Sequence, residues 1–329
     1  MATTMGARDL FRMVRHGLDV RSIHAHVRRP FRFLLCGDPA LVNELRALLL
    51  SGPSDEPVPA DAAACLETIY PHTFVADAGG DVRAALFLGR RGDTPNLEPL
   101  RTLKIPILAV TVDAEAVPSA PASLPSPGTI GEYTVAALTR DALRARLFAH
   151  LVDSARGVEI AVGRRLPPLR ETVAAKLTRD AASNALKVAV ASALVDHVPV
   201  LGVVLGAFAS AGDMVAITGI QTMLMLHIEA AYGRDPDVKR VWQLLPVIGG
   251  GFGWRTLARE LVGFIPVAGI AIKGAIAYAG TIVVGEGVTF FFEHGQHMSK
   301  GQAAQIYERT KEDTLRFARD FVTKLRNKD

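Results

Sequence analysis

The apolar positions of this chain gather in two long stretches near its end, and polar positions hardly interrupt them. Residues 198–226 carry one charged side chain, Asp213, and residues 261–292 carry two, Lys273 and Glu286. A surface helix keeps a polar face, so such stretches predict helices buried on all sides, in a helical core or in lipid. Asp213 reads as an N-cap and Gly233 as the residue just past a C-terminus, which brackets a helix of about 19 residues. The motif Pro-Val-x-Gly recurs at Pro199, Pro246 and Pro266, closing on Gly202, Gly249 and Gly269. Proline favours extended geometry in the residue before it and glycine permits a bend, so each copy predicts a turn into an apolar helix.

The front half has a different rhythm. Residues 7–29 predict a basic helix with Leu10, Phe11, Val14, Leu18 and Ile23 on one face and six arginines elsewhere. Such a helix either lies on an anionic membrane surface or caps the domain that follows. Residues 31–155 alternate short apolar runs (31–36, 74–76, 84–88, 105–112, 133–138) with helical patterns at 41–50 and 140–155, which predicts a parallel α/β sheet. Proline-rich loops at 51–61 and 114–128 interrupt it, the second read as mobile. The predicted organisation is a basic N-terminal helix over 1–30, an α/β domain over 31–156 and a linker over 157–168. An all-α hydrophobic module over 169–298 and a charged C-terminal helix over 299–329 complete it.

Composition narrows the classes. The 329 residues are 49% hydrophobic but only 6% aromatic, with much of the remainder Gly and Ala, which suits close helix–helix contact. A net charge of +4 with no basic run interleaved with aromatics gives no case for nucleic acid. Two cysteines, Cys36 and Cys65, define neither a disulfide framework nor a metal site, and place the polar part on a reducing, cytoplasmic side. No apolar run precedes residue 30, so no signal peptide is expected.

The first strand runs into Gly37-Asp-Pro-Ala-Leu-Val-Asn-Glu44, where a P-loop would sit. A working loop needs a second glycine, a lysine for the phosphates and a hydroxyl for magnesium. Val42, Asn43 and Glu44 occupy those places, so no nucleotide cofactor is expected. Gly249-Gly-Gly-Phe-Gly253 lacks the same partners and reads as a helix break. His294-x-x-His297 and His24-x-His26 have no carboxylate or thiol at ligand spacing, so no metal is expected. No serine or cysteine sits in a nucleophile signature.

Asp77-Ala-Gly-Gly80 matches a DxxG pattern, residues 107–113 end in Asp113 as an NKxD strand does, and 135–138 precede an amphipathic helix. Together these resemble a small GTPase of the Era type over some 120 residues, with Gly37, Asp77, Gly80 and Asp113 as vestigial motif positions. In the second half Asp213, Gln221, Met225, Ile228, Tyr232 and Gly233 fall at spacings D-x7-Q-x3-M-x2-I-x3-Y-G, followed by Pro266, Gly269, Tyr278, Thr281 and Gly285. This is similar to the YcjF-like family of helical modules of unknown function over residues 170–295. The resemblance implies a membrane-associated module linked to GTPases, with a GTPase or a second copy as partner.

The reading is thus a degenerate, P-loop-GTPase-like α/β domain followed by a hydrophobic helical module, a non-enzymatic protein at a membrane. Alternatives are a small channel or transporter with Lys273 and Glu286 on its path, a soluble helical scaffold, and a GTPase with an atypical site. Only residues 214–226 lie free of ionisable groups between Asp213 and His227, which is short for a span. Asp213, Lys273 and Glu286 read either as a buried ion-pair network or as snorkelling and capping groups.

Overall fold

A proline fixes where the helix after the first strand starts. Strand β1 (Arg32–Gly37) ends at a glycine, Asp38 accepts from the backbone N–H groups of Ala40 and Leu41, and Pro39 opens helix α2 (Pro39–Leu49). The pyrrolidine suits the first turn because its missing N–H would have had no partner there. A computed structural model describes residues 20–53, 59–70, 79–93, 96–195, 202–240, 269–299, 301–306 and 309–310. The chain divides into two units, one of residues 21–173 with 230–234, the other holding 174–229 and the residues after 234.

The first unit is an α/β layer structure. Strands β2 (Leu66–Thr68), β3 (Val82–Arg90), β4 (Ile107–Val112) and β5 (Ile130–Val135) join β1 in the order β2-β1-β3-β4-β5, every neighbour parallel. This is a doubly wound order whose reversal lies between β1 and β3. On one face α2 and the later helix α5 (Leu147–Ser154) pack on β1 and β3. The other face carries Leu34, Cys36, Ala85 and Ile107 under Leu97 and Leu100, beside the short helix α3 (Glu98–Arg101).

Several expectations shift. The helix expected over 140–155 is two, α4 (Arg140–Arg144) and α5, with a turn at 145–146. The strand expected over 133–138 lies three residues earlier, and the one over 74–76 falls outside the described residues. The loop read as mobile is instead tied down: Ser119 and Thr134 exchange both backbone hydrogen bonds, and Pro121 and Pro125 crowd Gly131. It covers the edge of β5, where an open ladder would invite another chain. Helix α1 (Val20–Arg28), the described part of the basic helix, buries Ile23. Arg165 donates to the carbonyls of Val27 and Arg29. Residues 157–168, read as a linker, form helix α6 (Glu159–Arg165) and a 3-10 turn (Pro167–Leu169), and most of their side chains are buried in this unit.

The second unit is helical. Helix α7 (Arg170–Val195) enters it, and α8 (Gly202–Ala231) and α9 (Gly269–His294) are the two apolar helices. Both are described from the glycine of a Pro-Val-x-Gly copy; the prolines lie outside the described residues. Asp213 is in the interior of α8 and does not cap it, which corrects the 19-residue helix to 30. The run before Asp213 has no proline, and an interior Asp costs a helix only about 0.7 kcal/mol, too little to end it. Gly233 does follow the C-terminus, at φ +85°.

Small residues set the packing. A Cβ on Gly274 would meet Val190 and Leu186, and one on Gly285 would lie 2.1 Å from Thr178 Oγ1. Position 274 meets the end of α7 and 285 meets its start, so the two helices run antiparallel. Ala185, Ala189 and Ala277 share a small core with Ile217 and Ile220 of α8. Gly285→Ala should lower stability by about 2–3 kcal/mol through overpacking, and adding Thr178→Ala should recover part of it. Thermal melting of the single and double variants checks this.

Candidate functional site

In doubly wound sheets ligands bind beyond the carboxyl ends of the strands, where the order reverses. Here that place is bounded by the ends of β1 and β3, and it is closed by the chain itself. Gly37 has φ +116°, and a Cβ built on it would lie 2.0 Å from the carbonyl oxygen of Leu88. Asp38 N donates to that same carbonyl at 2.8 Å. The two backbones are in contact, with no space between them for a side chain.

The N-terminus of α2 would be the anion site, because its N–H groups lack helical partners and its dipole favours negative charge. Asp38 fills it. Its Oδ1 takes the N–H groups of Ala40 and Leu41 at 2.8 and 3.2 Å, and its Oδ2 accepts from Arg90 Nε at 3.1 Å. The hydrogen bond from Leu41, with that from Arg90, holds this carboxyl below its ordinary range. The neighbouring Arg91 reaches the other way, to Asp113 at 3.7 Å. Asp113 also accepts from the backbone N–H of Glu115 at 3.0 Å. Two consecutive arginines at the end of β3 thus engage the carboxylates that follow β1 and β4. Both guanidinium groups are largely exposed, so these pairs add little stability. What they do is occupy the groups a ligand would use.

A cavity of about 390 Å³ lies beside this pole, over Phe87, Ala109 and Thr111, with Asp93, Glu98 and Glu132 around it. Its volume suits a small molecule, but three carboxylates there disfavour a phosphorylated one. Burial pushes the Cys36 thiol up to about 12 and Cys65 up to about 11, so neither is a thiolate nucleophile near neutrality. Among the described residues no group of three or more His, Cys, Asp or Glu could hold a metal ion.

The motif positions expected from the sequence are only partly brought together. Gly37 and Asp113 share the carboxyl-end pole. Gly80 instead leads directly into β3, at the opposite end of the sheet, about 20 Å away at 3.3 Å per residue. Its neighbour Asp81 pairs with Arg32 there at 2.8 Å. Asp77 lies outside the described residues, as does Pro266.

The helical motif residues are contact points. Gln221 Nε2 donates to Thr281 Oγ1 at 3.3 Å, and Thr281, fully buried, returns its own hydrogen to Ala277 O. Gly285 faces Thr178. Tyr232 lies under the buried Arg170, whose guanidinium is 5.8 Å from the ring centroid and 3.1 Å from where a Cβ on Gly233 would stand. Gly269 is the first described residue of α9. Glu286 pairs with Arg309 at 3.1 Å. Lys273 is 13 residues away from Glu286 on the same helix, about 20 Å along its axis, so those two cannot pair with each other within it. The side chains of Asp213 and Lys273 lie outside the described ones. Sequence reasoning missed Arg90, Arg91, Arg170 and Thr178, because single arginines and threonines carry no local signature of the partner they meet. It also missed Glu229, which is buried and accepts from Arg240 and from Asp237 N.

Comparison with models of known protein families, with curated proteins and with solved structures gives no match to this chain.

The depressed Asp38 carboxyl fixes the sign of one pH effect. A group whose pKa is lower in the folded state stabilises above its unfolded value, near pH 4, and loses that contribution as pH falls through the folded value. Asp38→Asn should therefore show a flatter stability profile than wild type below about pH 4. Urea denaturation across pH 2–6 measures it; parallel profiles would remove Asp38 from this role.

Proposed function

We propose that this is a non-enzymatic, membrane-associated protein, in which the α/β unit is a pseudo-GTPase interaction platform on the cytoplasmic side and the helical unit is the membrane module. The observation that carries the first half is the carboxylate of Asp38 in the anion site of α2. An internal anion held by two N–H groups and Arg90 must be displaced before a phosphate could bind, and no lysine waits there to repay that displacement. The chain keeps a strand-loop-helix of GTPase-like design while its own side chains occupy the ligand positions. Such a domain is suited to present a fixed surface to a GTPase or to a second copy of itself.

The membrane half rests on α9. Residues Gly274–His294 are long and apolar enough to cross a bilayer, and 56% of that window is buried against protein. Twenty-one residues rise about 31 Å, close to the hydrocarbon thickness. One such helix is also what a soluble bundle's core contains, and the Glu286–Arg309 pair favours that second reading, a soluble helical scaffold. Fractionation separates the two: the membrane reading expects the full chain to stay in the pellet after carbonate extraction, and release by carbonate or high salt would sink it. For the α/β unit, calorimetric titration with GTP and magnesium should give no saturable heat at micromolar to millimolar nucleotide. Saturable binding would return the domain to the enzymes.

A further inference from the structure

The crossover from β3 to β4 leaves part of the sheet uncovered. Strand β3 has nine residues, about 30 Å at 3.3 Å each, whereas α3 has four, about 6 Å of helix. Leu97 and Leu100 therefore cap only the start of that face, over Ala85 and Ile107. Beyond them the register lays two further rows across β3, β4 and β5, Phe87–Ala109–Glu132 and Gly89–Thr111–Thr134. Side chains alternate between faces along a strand, so both rows look out on the same side. They floor the cavity of about 390 Å³, whose lining lies wholly in the first unit.

A Cβ on Gly89 would lie 2.8 Å from Phe87 Cε1 and 3.2 Å from Asp93 Oδ2, so the ring and that carboxylate close over the glycine and wall the β3 side. Glu132 stands on the β5 side, two strand spacings or about 10 Å from Phe87, with only the methyl of Ala109 between them. An apolar floor with a few polar groups at its rim is the usual composition of a small-molecule pocket. The rim is negative. Arg90 turns away to Asp38, and Glu98 is matched by Arg101. Asp93 Oδ2 accepts from Arg90 N at 2.7 Å, while Glu132 has no hydrogen-bond or ion-pair partner among the described residues. Nor do any three His, Cys, Asp or Glu side chains among the described residues converge on a metal position. The negative charge is therefore spread along a rim over an apolar floor, which suits an organic cation and not a metal ion. A half-buried ring and an unpaired carboxylate match a molecule that is apolar at one end and an ammonium at the other.

We infer that this cavity binds a small primary amine bearing an aromatic or alkyl group, its apolar part on Phe87 and Ala109 and its ammonium at Glu132. The inference goes beyond the proposed function, and its failure leaves that reading standing, since neither lipid nor nucleotide enters the test. Saturation-transfer NMR of the full chain with phenethylamine should show saturable binding, with a dissociation constant of about 1 mM or tighter. Phenylacetate, with the same ring and the opposite charge, should not saturate. Glu132 is exposed on an edge strand, so Glu132→Gln keeps the fold and should weaken phenethylamine by about tenfold or more. Ala109→Leu fills the space between ring and carboxylate and should remove binding, with thermal melting as the check on its fold. Affinity lost in Glu132→Gln and in a folded Ala109→Leu supports the site. No saturation, equal binding of phenylacetate, or wild-type affinity in Glu132→Gln overturns it. A folded Ala109→Leu that binds like wild type places the amine elsewhere and overturns it as well.

Discussion

The contact between Gly37 and the Leu88 carbonyl governs the carboxyl-end pole of the sheet. With the backbones of β1 and β3 in touch, the turn after β1 has no slack, and Asp38 is delivered to the first N–H groups of α2 in a capping position. A carboxylate in that place draws a cation, and Arg90 is the residue that leaves β3 beside it. Arg91, next in the chain, points the other way and takes Asp113. One steric constraint at a glycine thus propagates into a helix cap and ion pairs on both sides of β3. An anion at this helix end would compete for the N–H groups that Asp38 holds.

The helical unit follows an analogous rule with different chemistry. Gly285 against Thr178 and Gly274 against Leu186 and Val190 bring α9 onto α7 at a separation that side chains would prevent. The polar groups left inside are satisfied locally, Thr281 by the carbonyl of Ala277 and by Gln221. Close approach and internally satisfied hydroxyls work in water and in lipid alike, since both depend on packing and on hydrogen bonds made within the protein. The packing of this unit is therefore compatible with either solvent, and the deciding features are those at its ends.

The sequence makes the architecture legible where periodicity is strong and fails where partners are distant. The alternation of strands and helices in residues 31–155 predicts a parallel sheet, and four of its five strands have an apolar run on or near them. The short β2 has no such run, because three residues cannot show a period. Asp213 misleads as a cap because capping preference is a property of a residue, while a helix end needs a reason to stop, and none precedes it. Pro121 and Pro125 suggest a loose loop; their use against Gly131 appears only when the edge of β5 is in view. In the site, Gly37 and Asp113 are singled out in the sequence by their place after an apolar run. Asp38 and the two arginines become a unit only through the pairing of β1, β3 and β4, which no local pattern encodes.

Glu286 limits how α9 can meet a membrane. It lies eight residues before His294, about 12 Å along the axis, and its partner Arg309 comes from the segment after the polar turn. With that pair made, Arg309 lies alongside α9 at the depth of Glu286. A bilayer core does not accept a polar segment at that depth unless protein or water surrounds it. The ion pair and a full crossing by α9 are therefore competing arrangements of the same residues. The paired arrangement leaves α9 packed in its bundle, so a crossing would first require the loss of that ion pair.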